Sequence, residues 1–98
     1  MPFAITFFDK PGTDKSTKSS FRQTHIDYVS SKAKLIIASG GLFPDDDDFP
    51  NGGLILLDVQ TRGEAVQYIE NDPFFIHGIF NSYNIVRWKK FVFDHQRV

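Results

Sequence analysis

Near neutral pH, a histidine held by a carboxylate is the simplest proton-transfer device a chain without cysteine can build. Only three histidines occur, His25, His77 and His95. His95 lies in the polar tail Asp94-His95-Gln96-Arg97, where solvation is the plain expectation. His77 ends a short helical segment, where a cation meets the helix dipole favourably. His25 differs, falling within about 60° of the middle of the apolar stripe of the first long helix, at 100° per residue. Arg22 lies one turn earlier, so a positive charge can share the same surroundings. Far along the chain, Asp72-Pro73 reads as a helix N-cap followed by proline at the first helical position. One oxygen of such a carboxylate can accept the backbone N–H while the other faces a histidine. If Asp72 and His25 meet, the carboxylate fixes which ring nitrogen carries the proton and stabilises the imidazolium that forms. Spacing alone leaves the plainer readings open: a packed, satisfied histidine and a purely structural cap.

Other chemistries find less support. With no cysteine there is no disulfide, thiol nucleophile or thiolate metal site. The run Asp45–Asp48 lacks the alternating ligands, central glycine and terminal glutamate of an EF-hand loop, so a solvated loop is expected and no metal. Gly40, Gly41, Gly52 and Gly53 do not form a phosphate loop and read as turns and bulges. No serine sits in a nucleophile elbow, and no cofactor motif is found; none is expected. Phe43, Phe49, Phe74, Phe75, Tyr83 and Trp88 are core by default, though some can line a pocket for a flat ring.

The elements that must position these groups follow from periodicity and turn chemistry. Phe3 to Phe8 reads as a strand stopped at Asp9-Lys10-Pro11-Gly12. After the polar stretch Thr13–Ser19, Ser20-Phe21-Arg22-Gln23 fits a capping box opening a helix with Arg22, Ile26, Val29 and Ala33 on one face. Leu35 to Ser39 is a second strand closed by Gly40-Gly41, and Gly53 to Val59 a third. Thr61-Arg62-Gly63-Glu64 is another capping box; a short helix carries Phe74 and Phe75. Tyr83 to Phe93 reads as one long last strand. The order β-α-β-β-α-β predicts an α+β, ferredoxin-like antiparallel sheet with helices on one face. Strands one and three are apolar on both sides, so the second face needs cover. A second copy of the sheet is the expected cover, making a homodimer.

Composition is consistent with this. A chain of 98 residues, 41% hydrophobic with eleven phenylalanines, is too apolar for disorder and reads as a single domain over 1–98. A net charge of −1 gives no basic footprint for nucleic acid and no cationic helix for a membrane surface. No apolar run is long enough to span a bilayer. Met1-Pro2-Phe3-Ala4-Ile5 lacks the features of a signal peptide, so a cytoplasmic location is expected.

Several ordered pieces together resemble the YciI-like (YCII-related) family of the dimeric α+β barrel group. They are Phe3-Ala4-Ile5-Thr6-Phe7-Phe8 with Asp9-Lys10-Pro11-Gly12, Arg22-x-x-His25, Leu35-Ile36-Ile37-Ala38-Ser39-Gly40-Gly41, Asn71-Asp72-Pro73-Phe74, and Trp88-Lys89-Lys90-Phe91. Where the family has glycine-proline, this chain has Gly40-Gly41-Leu42. The resemblance implies a pocket centred on His25 and Asp72 as catalytic residues. Arg22, Phe8, Gly40, Phe43, Phe74 and Tyr83 would surround a small-molecule substrate. It also implies cofactor-free proton transfer or elimination, of dehydrochlorinase, lyase or isomerase type. The substrate would be a small hydroxylated or chlorinated aromatic or a lactone, such as 5-chloro-2-hydroxyhydroquinone. The competing expectations are a dimeric module that binds a small aromatic or acidic metabolite without turnover, and an accessory partner in which His25 only packs.

Overall fold

Along β1 (Phe3–Phe8), Phe3, Ile5 and Phe7 are buried while Ala4, Thr6 and Phe8 point the other way. That period-two pattern sets which face of the sheet meets the core. The computed structural model describes residues Met1–Val98. It places β1 inside a four-stranded antiparallel sheet with β2 (Ile36–Leu42), β3 (Gly52–Leu57) and β4 (Tyr83–Arg87), in the order β2-β3-β1-β4. Helices α1 (Lys15–Ser20) and α2 (Arg22–Ser31) connect β1 to β2, and α3 (Arg62–Glu70) and α4 (Pro73–Ile76) connect β3 to β4. The fold is therefore α+β and ferredoxin-like; one chain forms an open sheet rather than a closed barrel.

The core lies between this sheet and the helices. Phe3, Ile5, Phe7, Ile55, Leu57 and Ile85 meet Ala65, Tyr68 and Ile69 of α3, with Phe74, Ile79 and Phe80 closing the end. Phe7 and Phe80 stack at 4.0 Å. Each large apolar side chain so buried contributes roughly 1.5–3 kcal/mol. The Thr61–Glu64 capping box forms in full at the start of α3, and Asp72 caps α4 with Pro73 at its first position. On the opposite face, Phe8, Leu54 and Val86 are 60%, 37% and 50% exposed.

Three local readings change. The helical region starts earlier than the proposed Ser20 box, at Lys15, because Asp14 accepts the Ser16 N–H. Ser20 instead bonds back to the Thr17 carbonyl, and Gln23 donates to Asp27. The glycines of β2 and β3 are not turns: Gly41 pairs with Gly53 inside the sheet. A Cβ on Gly53 would lie 2.5 Å from the Phe7 ring, so the bare strand is what lets that ring sit there. The last strand stops at Arg87, opposite Phe3, where its only neighbour begins. Beyond it, β5 (Val92–Phe93) and β6 (Gln96–Arg97) form a hairpin turning at Asp94 and His95, both with positive φ. Two successive left-handed residues are what a tight hairpin turn requires, so His95 is a turn residue rather than part of a loose tail. No helix is long and apolar enough to cross a membrane.

Candidate active site

Asp72 is a cap first. Its Oδ1 accepts the Phe74 backbone N–H at 2.9 Å, which fixes the carboxylate at the end of α4 with 1% exposure. The same oxygen lies 2.9 Å from His25 Nδ1, brought across from α2. Cap and histidine thus share one oxygen, rather than dividing the two between them. An ionised carboxylate only accepts, so Nδ1 carries the proton and donates, leaving the lone pair on Nε2. The imidazole lies flat on the Phe74 ring, centroids 4.2 Å apart and planes 6° from parallel. One residue, Phe74, therefore anchors the carboxylate by its backbone and the imidazole by its ring.

Beside this pair lies a cavity of about 490 Å³ between α2 and the glycine-rich ends of β2 and β3. That volume falls in the range of small-molecule sites. The cavity explains why α2 buries no residue of its own: Ile26 and Val29, its apolar stripe, face the open space instead of a packed core. Arg22, His25, Gly40, Phe43, Asp72 and Phe74 all border it. Arg22 has no ion-pair partner in the chain. Phe8 and Tyr83 do not line the cavity. Phe8 occupies an even position of β1 and so projects from the other face of the sheet. Tyr83, on the strand farthest from β2, sends its hydroxyl to Glu70 and packs against Phe75.

Phe49, one of the aromatics read as able to line a pocket, borders the cavity, and so do Lys18 and Tyr68, which the sequence did not single out. Lys18 sits in a helix with no apolar residue, Lys15–Ser20, where a lysine reads as solvated. Its one local signal is position, three residues before Phe21 on the inward side. In the fold it is 6% exposed, with Nζ 2.8 Å from Asp9 Oδ2 and 2.7 Å from the Pro50 carbonyl. Tyr28 donates its hydroxyl to the Tyr68 carbonyl. Burial, then the charge of Asp72, pushes the Tyr28 hydroxyl up to about 12, and burial with Asp72 and Tyr28 raises Tyr68 further. Both phenols thus stay protonated near neutrality. The acidic loop does not converge: Asp47 pairs with Lys15 and accepts the Phe49 N–H, while Asp48 reaches the cavity rim. His77 stacks on Phe21 at 4.0 Å, away from the His25 pair.

A 5-chloro-2-hydroxyhydroquinone dehydrochlorinase, TftG, from Burkholderia phenoliruptrix AC1100 is similar to this chain, and its structure is a complex with 2,5-dihydroxybenzoquinone. It is 26% identical, superposes with a TM-score of 0.79, and the match covers 91% of this chain and 94% of that one. The Arabidopsis thaliana protein At3g17210 is 8% identical with a TM-score of 0.48, over 96% of this chain and 99% of that one. A dimeric ferredoxin-like protein from Thermobifida fusca YX is 10% identical with a TM-score of 0.41, over 87% and 86%. A sequence search of curated proteins finds no match. The profile of the YCII-related domain matches residues 1–89, nearly the whole of the sheet-and-helix unit that holds the His25 pair, so this chain belongs to the YCII-related family.

Proposed function

We propose that the protein is a cofactor-independent lyase that eliminates HCl from a small chlorinated, hydroxylated aromatic ring, with 5-chloro-2-hydroxyhydroquinone as the type substrate. The observation that carries this reading is the His25–Asp72 hydrogen bond on the wall of a small-molecule cavity, in a chain similar to a dehydrochlorinase. In the reaction the chlorine-bearing carbon takes a proton as one ring hydroxyl becomes a carbonyl; a second hydroxyl then gives its proton to His25, its electron pair forms the second carbonyl, and the C–Cl pair departs with chloride. The products are a hydroxyquinone and HCl, so no external oxidant is needed. Asp72 keeps Nδ1 protonated, so Nε2 acts as the base, and it stabilises the imidazolium until the proton passes to solvent. Arg22 adds positive charge to the same cavity, favouring the anion formed as the proton leaves. Phe74, Phe43 and the bare backbone at Gly40 shape a flat slot for the ring. The soluble unit would be a homodimer in which a second sheet covers Phe8, Leu54 and Val86. Sedimentation equilibrium giving the mass of one chain would remove that part of the proposal.

The direct test is chloride release from 5-chloro-2-hydroxyhydroquinone, followed with a chloride electrode alongside the ring absorbance. The proposal expects saturable, enzyme-dependent release. Binding of the ring with heat evolved but no chloride above the uncatalysed rate would make the protein a binding module instead.

A further inference from the structure

Lys18 is the one fully charged side chain buried on the cavity wall that the proposed reaction leaves unused. A lysine is almost never buried unless it is paired, and even a paired buried charge is costly compared with an apolar residue of the same size. Methionine would fill the position as well, so the packing of α1 gives no reason for the charge. The ammonium has three N–H donors. Asp9 Oδ2 at 2.8 Å and the Pro50 carbonyl at 2.7 Å take two, and no group of the protein takes the third. Its side chain borders the same cavity as His25. Nζ lies 5.5 Å from the centre of the Phe74 ring, the ring on which His25 is stacked at 4.2 Å, and 5.6 Å from that of Phe49. A cation is therefore fixed among aromatic rings, with one donor to spare, on the wall that also carries the base.

We infer that Lys18 holds the ionised oxygen of a ring hydroxyl in this cavity, selecting phenol-type ligands and binding them as phenolates. This deepens the reading of the site as acting on hydroxylated rings, and it rests on that reading for the class of ligand. A fixed ammonium beside the ring favours the anionic form of a bound hydroxyl. Asp9 is a positioning residue: it holds the ammonium at 2.8 Å and balances its charge when no anion is bound. When a phenolate enters, Arg22 on the same wall, without a carboxylate of its own, offsets the added negative charge. A compact point charge suits a single oxygen better than the broad fork of a guanidinium, which matches carboxylates.

The test uses 4-nitrocatechol, whose ring absorbance reports its ionisation state, titrated against the full chain across pH. The wild type is expected to bind it as the phenolate and to lower its ionisation pH by at least one unit relative to the free probe. Lys18→Met should weaken anion binding at least tenfold and return the ionisation pH of any bound probe to the free value; Lys18→Arg should retain part of the shift. Because Lys18→Met leaves Asp9 buried without its cation, the double variant Lys18→Met/Asp9→Asn, which removes both charges, serves where the single one unfolds. A wild type that leaves the probe un-ionised, a double variant that binds the phenolate as tightly as the wild type, or a shift abolished by Arg22→Met and untouched by Lys18→Met each overturns the inference. Chloride release is scored separately. A Lys18-dependent phenolate site with no chloride release sinks the lyase reading alone; chloride release with no Lys18-dependent shift sinks this inference alone.

Discussion

Asp72 is a fully buried carboxylate and Asp9 a largely sheltered one, and each grips a basic side chain from the helical segment between β1 and β2. They differ in what they hold. Asp72 is tied into its own helix through the Phe74 N–H and meets a histidine, whose charge can change. Asp9 follows β1, bonds a lysine ammonium, and has its other oxygen, Oδ1, buried without a partner. A carboxylate anchored by its own turn can let its partner gain or lose a proton without losing its own place. One whose position depends on a single cation cannot. The first arrangement suits the proton transfer proposed for this site, and the second suits holding a cation in place.

The largest expected effect tests the first half of that contrast. His25→Ala should lower the rate of chloride release by about 10²–10⁴-fold, the range for a removed general base. Because the imidazole is partly exposed and stacked rather than enclosed, folding should change little, with the unfolding midpoint in urea moving only slightly. A variant that keeps full turnover would remove His25 from the chemistry. Asp9→Ala should behave in the opposite way, acting mainly on stability. It leaves a buried ammonium with only the Pro50 carbonyl, and removing one partner of a buried pair costs about 3–5 kcal/mol. Urea unfolding should show that loss. A shift under about 1 kcal/mol, the scale of an exposed pair, would mean that the Asp9–Lys18 bond is not sheltered, and the contrast between the two carboxylates would collapse.

How much of this was legible in the sequence divides along the same line. Most signals within one turn read correctly: the alternation of Phe3, Ile5 and Phe7, the Thr61–Glu64 box, and the Asp72-Pro73 cap, though not the Ser20–Gln23 box, which Asp14 pre-empted by opening the helix earlier. Each depends on neighbours a few residues away, and so does the order of elements that gives the fold. The meeting of His25 with Asp72 spans 47 residues, and no spacing rule reaches that far; only the family resemblance suggested it. Lys18 was invisible for a different reason. Its burial is imposed by Asp9, Pro50 and two rings from other segments, while its own helix is polar throughout. Gly41 and Gly53 misled because glycine marks both turns and bare strand, and only the Phe7 ring decides between them. The end of β4 was set by the length of its neighbour, which β4 itself does not encode.

Asp72→Asn separates the two duties that this carboxylate combines. Asparagine caps a helix about as well as aspartate, so stability near neutral pH should fall only by about 1.5–3 kcal/mol, the worth of one hydrogen bond to a charged group. Asparagine carries no charge to stabilise an imidazolium and can present a donor to Nδ1, favouring the wrong tautomer. Chloride release should then fall by about 10²-fold, the lower end of the range for acid–base catalysis. A loss of stability well above that range, with activity lost alongside it, would show instead that the cap, and not the charge, is what the site requires.

The smallest effect lies in the alkaline range and reads the charge of Asp72 without any substrate. Tyr28 keeps its proton in the folded state up to about pH 12, through burial first and Asp72 second, against a usual value of 10.0. Its folded-state value is raised and the neutral phenol is the favoured form, so its contribution is fully present below pH 10 and is lost as pH rises from there towards 12. Between those limits the native state binds more protons than the unfolded chain, and the slope of stability against pH is negative. Tyr28 is only partly buried, so solvent screening keeps this slope shallow. Tyr28→Phe should flatten it, and Asp72→Asn should flatten it by a smaller amount, because it removes only the second cause. Urea unfolding followed from pH 9 to 12 for the three proteins gives the comparison. An Asp72→Asn protein whose alkaline slope matches that of the wild type would mean that the carboxylate's charge does not reach the phenol through the core, and the picture of Asp72 as a sheltered, ionised anchor would have to be given up.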